Sequence, residues 1–204
     1  MRTTWIAARL AAAVLILVAL VEPVITMAMD GTLEPSKYFG YFTIQSNIVA
    51  MVVIAVSIPR TGRPRPRWLE LARAASSTYM VIVSTVYWTM LVGLVGDDAW
   101  GWTNLVCHGF TTAFMLADWL IEGPCERLPW RLAPTVLAYP ALWLAAALVR
   151  GAAGGWVPYP FLETTDGYGP VAVVCGTIIV AGVAIALALF PLAQWRRLAP
   201  ARET

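Results

Sequence analysis

The sequence predicts an all-α integral membrane bundle of six transmembrane helices, with both termini in the cytoplasm. Three observations predict it. Of 204 residues, 59% are hydrophobic and only 13% charged, with mean hydropathy +0.70, whereas a soluble domain carries about twice that share of charge. Six stretches have the roughly 20 apolar residues that a bilayer crossing needs. Lys and Arg fall almost wholly on one set of alternate connections: Arg2, Arg9, Arg60, Arg63, Arg65, Arg67, Arg73, Arg127, Arg131, Arg196, Arg197 and Arg202, against Lys37 and Arg150. That asymmetry places the basic side in the cytoplasm.

The spans follow in order. The first, 5–27, has Arg2 before it and Arg9 within it. Its length, and the lack of a small-x-small cleavage site after it, predict a retained span rather than a cleaved signal peptide. The second, 39–58, turns polar at Thr43-Ile44-Gln45-Ser46-Asn47. The basic connection after it, 59–67, reads as a stop-transfer signal and a contact for anionic lipids. The third, 74–95, carries Tyr79 and Tyr87, whose default role is packing with the hydroxyl free to reach a polar partner. The fourth, 103–121, holds His108, the only histidine; the fifth, 132–149, and sixth, 170–190, are apolar. Short connections make residues 1–204 one domain.

The flanks agree. Trp68, Trp130 and Trp195 sit at one set of span ends and Trp100, Trp102 and Trp156 at the other, as expected for indoles at the headgroup level. Asp30, Glu34, Asp97, Asp98, Glu163 and Asp166 fall in the outer connections. The longest of these, 150–169, is too rich in proline and glycine for a regular helix, yet carries aromatics that disfavour water. It reads either as a loop folded back over the bundle mouth or as an interfacial anchor.

Several function classes are excluded. Arginines in short blocks between apolar spans make no basic face for nucleic acid. Cys107, Cys125 and Cys175 form no CxxC pair and read as buried small residues, and a lone histidine argues against bis-histidine haem or a His-rich zinc site. No internal repeat suggests a transporter built from two similar halves.

What remains is a polar constellation. At helical spacing Asn104, His108, Thr111 and Thr112 share a face of the fourth span, continued by Met115. Thr43, Ser46 and Asn47 share a face of the second. Lipid offers such groups no partner, so they must turn towards the bundle interior or a wet cavity. Counted from the outer ends, Thr43 and His108 lie at the same depth, ~5–10 Å in. The chemical reading is a Thr43 nucleophile, a His108 general base, and Asn47 or Asn104 as an oxyanion donor. Interhelical hydrogen-bond glue is the structural alternative. Glu22, near the outer end of the first span, either orients the imidazole or is a solvated helix-end carboxylate. Asp118, ten residues and ~15 Å along the helix from His108, reads as an inner-end carboxylate paired with a loop arginine or solvent.

Three motifs carry a family resemblance: Phe42-Thr43 with its polar continuation, Asn104 to His108 with the following threonines, and Trp156-Val157-Pro158-Tyr159-Pro160-Phe161-Leu162-Glu163. Together they resemble the FAR-17a and androgen-induced-gene family of six-span membrane proteins and its bacterial relatives, described as threonine hydrolases of fatty acid esters of hydroxy fatty acids. The chain departs from the family pattern in Gly109 after the histidine, in having no proline before Pro124, and in the extra Pro158. The resemblance implies Thr43 as nucleophile and His108 as base. It leads to the expectation of an intramembrane hydrolase of long-chain lipid esters in the outer leaflet of the plasma membrane, needing no metal or organic cofactor. Ser46, Thr112, Met115, Tyr87, Trp156 and Tyr159 are the expected substrate pocket. The alternatives are a transporter or lipid-binding protein using the same pocket, and a scaffold whose polar groups only join helices.

Overall fold

A computed structural model describes residues 2–125 and 128–192, without the side chains of Asp97 and Asp98. Arg127, Trp195, Arg196, Arg197 and Arg202, all used above to orient the chain, lie outside the described residues. Those described are helical, with no strand among them. The principal helices are α1 (Arg2–Met29), α2 (Phe42–Ser57), α3 (Arg67–Val86), α4 (Thr111–Glu122), α5 (Ala138–Ala152) and α6 (Tyr168–Leu192). Five helical runs are long and apolar enough to cross a membrane: Arg2–Met29, Phe42–Arg60, Arg67–Val95, Trp130–Ala152 and Tyr168–Leu192.

The stretch expected as a fourth crossing is also helical, but divided. A turn at Trp102–Asn104 leads into a π-helical segment, Leu105–Phe110, and only then into the 12 residues of α4. The wider π turn is stabilised by Thr111, whose hydroxyl reaches back to the carbonyl of Val106 at 2.9 Å. A second π segment, Tyr87–Leu91, follows α3.

α3 is the centre of the bundle, in contact with α2, α4 and α6, while α1 lies against α2. Small polar residues allow this. Ser76, Ser77 and Thr78 are fully buried on α3, and short side chains let helix backbones approach closely. Ser77 donates to the carbonyl of Met115 at 3.2 Å, and Thr112 on α4 returns a bond to that of Met80 at 2.9 Å. On α1 the buried residues Arg9, Ala12, Ile16, Ala19 and Leu20 recur at helical spacing, so one stripe meets the bundle. Exposed Leu10, Val14, Leu17 and Val21 cover the remaining faces.

The two ends of the bundle differ in chemistry. At the end where α1 and α3 begin and α4 terminates, three arginines and three carboxylates form a buried, charge-balanced network. Arg9 and Arg73 are 0% exposed and Asp118 2%. Asp118 accepts from Arg9 Nε at 2.9 Å and from Arg73 Nη2 at 2.7 Å. Glu70 joins Arg73 to Arg65, both at 2.8 Å, and Glu122 pairs with Arg65 at 2.8 Å and with Arg9. Gly123 ends α4 at φ +54°, a conformation that suits glycine, and its carbonyl accepts from Arg65 and Arg73. Asp118 therefore pairs with two helix arginines in the interior, not with a loop arginine or solvent.

At the opposite end, where α2 begins, the connection 153–167 folds inward. Leu162 is buried with Tyr159, and Trp156 lies edge-on to Tyr41 at 5.2 Å. A Cβ at Gly40 would meet the Trp156 ring at 2.9 Å and the Ser36 carbonyl at 2.8 Å. Only glycine lets the loop settle this close.

Candidate functional site

Thr43 is the second residue of α2, because the helix starts at Phe42 after an extended Tyr41 and not at 39 as the hydropathy suggested. It thus occupies the first turn, where backbone N–H groups have no carbonyl of their own helix to bond. The amide of Thr43 donates instead to the hydroxyl of Tyr159 at 3.3 Å, and its Oγ lies 3.3 Å from the same phenol oxygen. Burial pushes the Tyr159 phenol pKa up, partly opposed by its bonds to Thr43. It therefore keeps its proton at neutral pH.

His108 belongs to the π segment and is 6% exposed. Its ring stacks on Tyr87 with centroids 3.6 Å apart and planes 7° from parallel. Tyr87 is itself held by a 2.9 Å bond from its hydroxyl to the Ala99 carbonyl. Both rings sit on π turns, which recur at functional sites. The Nδ1 of His108 is buried with no hydrogen-bond partner, and a buried polar atom left so carries a cost of about 1–3 kcal/mol.

The two residues face one space. Thr43, His108, Asn104, Tyr87, Cys107 and Tyr159 are among the walls of a cavity of about 520 Å³. Thr43, Leu91 and Tyr159 also border a second cavity of about 120 Å³, whose other walls, from Phe42 and α3, α5 and α6, are apolar. Thr43 and Tyr159 thus stand where a mostly apolar chamber that carries a few polar side chains meets a wholly oily one.

Asn47 ties the two helical runs together. Its Nδ2 donates to the carbonyl of Thr43 at 2.9 Å and to that of Cys107, next to His108, at 3.1 Å. This corrects its assignment as an oxyanion donor: both N–H groups are occupied, and only its acceptor oxygen is left unpartnered. Asn104 lines the cavity. Glu22 is exposed and does not line it, so it does not orient the imidazole.

The expected pocket residues divide. Tyr87 and Tyr159 line the large cavity; Ser46, Thr112, Met115 and Trp156 line neither. Ser46 is buried between helices, and the Thr112 hydroxyl is taken by helix carbonyls. Met115 is core, and Trp156 lies edge-on to Tyr41 beneath the Arg150 guanidinium, 4.9 Å from its ring. Among the described residues no group of three His, Cys, Asp or Glu side chains gathers to hold a metal.

Sequence reasoning missed two features. The hydroxyl contact between Tyr159 and Thr43 joins residues 116 apart and leaves no local pattern. The ion network did leave one: Glu70 and Arg73 at i, i+3, and Asp118 and Glu122 at i, i+4, each put two charges on one helix face. No family model matches the chain, and no curated protein or solved structure matches it.

Proposed function

We propose that this chain is an intramembrane hydrolase of long-chain lipid esters, with Thr43 as nucleophile and His108 as general base. In this reading it crosses the plasma membrane six times, the divided helix 102–122 providing the fourth crossing. The arginine end and both termini face the cytoplasm, and the cavity lies in the outer leaflet. The reading also places the chain with the FAR-17a and androgen-induced-gene family, whose substrates are fatty acid esters of hydroxy fatty acids.

The observation that carries it is that the Thr43 hydroxyl and the only imidazole line one cavity, which adjoins an apolar one. An ester enters from the lipid, its carbonyl beside Thr43 and a chain among the apolar walls. Thr43 Oγ attacks the carbonyl carbon as His108 takes the hydroxyl proton. Collapse of the tetrahedral intermediate breaks the ester C–O bond, and the alcohol leaves with that proton. Water, deprotonated by the same ring, then releases the acid from Thr43.

Purified chain in detergent should hydrolyse medium- and long-chain esters. Thr43→Ala and His108→Ala should each abolish turnover without loss of folded protein, and retained turnover in either rejects that residue's role. Lys37→Cys should react with an impermeant thiol reagent from outside the cell and Arg60→Cys only after lysis; the reverse pattern overturns the orientation.

A second reading, a transporter or lipid-binding protein using the same pocket, has one observation in its favour: the ion network closes one end of the bundle, as in a carrier held open to the other. It expects ligand binding or flux that survives Thr43→Ala, with no ester turnover.

A further inference from the structure

We infer that Tyr159 is a third catalytic residue: its hydroxyl, together with the Thr43 amide at the start of α2, forms the pocket that receives the oxyanion. The inference rests on the hydrolase reading and adds to it a group outside the Thr43 and His108 pair.

α2 starts at Phe42, one residue before Thr43. A helix of 16 residues leaves its first amides unbonded and its N-terminus carrying partial positive charge. Tyr41, the capping residue, makes no side-chain bond to them. The phenol oxygen of Tyr159 takes that place, accepting from the Thr43 amide at 3.3 Å. An oxygen therefore already occupies the spot beside the Thr43 hydroxyl where a negative oxygen would be most stabilised. A bond of 3.3 Å lies beyond the usual 2.7–3.2 Å range for N–H···O contacts, so a substrate oxygen can displace the phenol from it.

The phenol ring is held, so its hydroxyl yields the amide by a short shift and stays within reach of the incoming oxygen. Its ring stacks on Phe161 at 5.2 Å and meets Tyr41 at 5.7 Å and Trp143 at 5.8 Å. Pro158 and Pro160 fix the backbone on either side. Tyr159 is 9% exposed and lines both cavities. His108 lines the same larger cavity and supplies the base that the same reaction needs.

The step balances without a co-reactant. As Thr43 Oγ bonds to the carbonyl carbon, its proton passes to His108 and the carbonyl π pair moves onto oxygen. That oxygen takes up the Thr43 amide bond that the phenol had held. The Tyr159 O–H, its proton retained, turns to donate to it. When the carbonyl re-forms, the ester C–O bond breaks and the alcohol departs with the proton from His108.

Tyr159→Phe removes one oxygen and keeps the ring. Assayed as purified full-length protein with the p-nitrophenyl ester of a medium-chain acid, it should lose about 10²–10³-fold in kcat, with KM within roughly twofold of wild type. Phosphonylation of Thr43 by an alkyl fluorophosphonate, whose P=O occupies the same pocket, should slow by a similar factor. A kcat or labelling rate within threefold of wild type, while Thr43→Ala is inert, overturns the role of Tyr159 and leaves the hydrolase standing. Wild type indistinguishable from Thr43→Ala in both assays removes the hydrolase reading and this inference with it.

Discussion

The two ends of the bundle treat buried polarity in opposite ways. At the arginine end each of six charged side chains has an opposite charge within 4 Å, and the groups sum to zero. At the histidine end, no ion pair involves His108 among the described residues; there are an imidazole nitrogen, an Asn47 oxygen and a Ser46 hydroxyl without partners, loose 3.3 Å contacts at Thr43, and a cavity of about 520 Å³. The first arrangement resists any change, because removing one member leaves a buried charge unpaired. The second holds its groups in reserve for something that is not the protein. In the proposed reading, stability and chemistry are thus separated along the bundle axis.

Substitutions at the two ends should therefore fail in different assays. The largest effect is expected for Thr43→Ala, which should lower ester turnover about 10⁴-fold or more while the thermal unfolding midpoint stays near that of wild type, since Thr43 is only half-buried. A large loss of stability in this variant would erase the distinction. Next comes Asp118→Asn, which leaves Arg9 and Arg73 without their shared carboxylate. A cost of about 3–5 kcal/mol is expected in denaturant or thermal unfolding, and the protein that remains folded should keep its turnover. A stable Asp118→Asn with abolished turnover would move the chemistry to the arginine end.

Asn47→Ala probes the junction. It removes the Nδ2 donor to Cys107 that joins α2 to the π segment, and the one to Thr43 within α2, so unfolding experiments should record a loss of about 1–3 kcal/mol. Turnover should fall as well, because that bridge sets His108 relative to Thr43. The smallest effect belongs to Tyr87→Phe. It keeps the stack on His108 and removes only the bond to Ala99, so about 0.5–1.5 kcal/mol of stability and a severalfold change in kcat are expected. Tyr87→Leu, which removes the stack too, should cost more in kcat; equality of the two variants would show that stacking contributes nothing.

The sequence made some of this legible and concealed the rest, for physical reasons. Helix positions follow from runs of apolar residues, because lipid-facing residues such as Leu10 and Val173 must be apolar whatever they neighbour. The second and fourth polar stretches were legible as polar faces that must turn inward, but not as neighbours; that Thr43 and His108 line one cavity depends on how the helices pack. Where α2 begins was not legible either. Residues 39–42 are as apolar as a helix, and the start at Phe42 is set by the extended backbone at Tyr41 and the close approach of Trp156 to Gly40, which depends on a loop more than a hundred residues away. Asn47 shows the same limit. Its type and face were readable, but whether its amide points to a cavity or to two carbonyls depends on how near Cys107 comes. Arg9 and Arg73 counted correctly as basic residues on one side, yet burial with Asp118 could not be read from that count.

The most direct test of the account is to map where an alkyl fluorophosphonate attaches to the wild-type chain, by mass spectrometry, and to repeat it with His108→Ala. The account predicts a single phosphonylated residue, Thr43, and loss of that adduct when the imidazole is removed. Attachment at another residue, or labelling of Thr43 at an unchanged rate without His108, would contradict it.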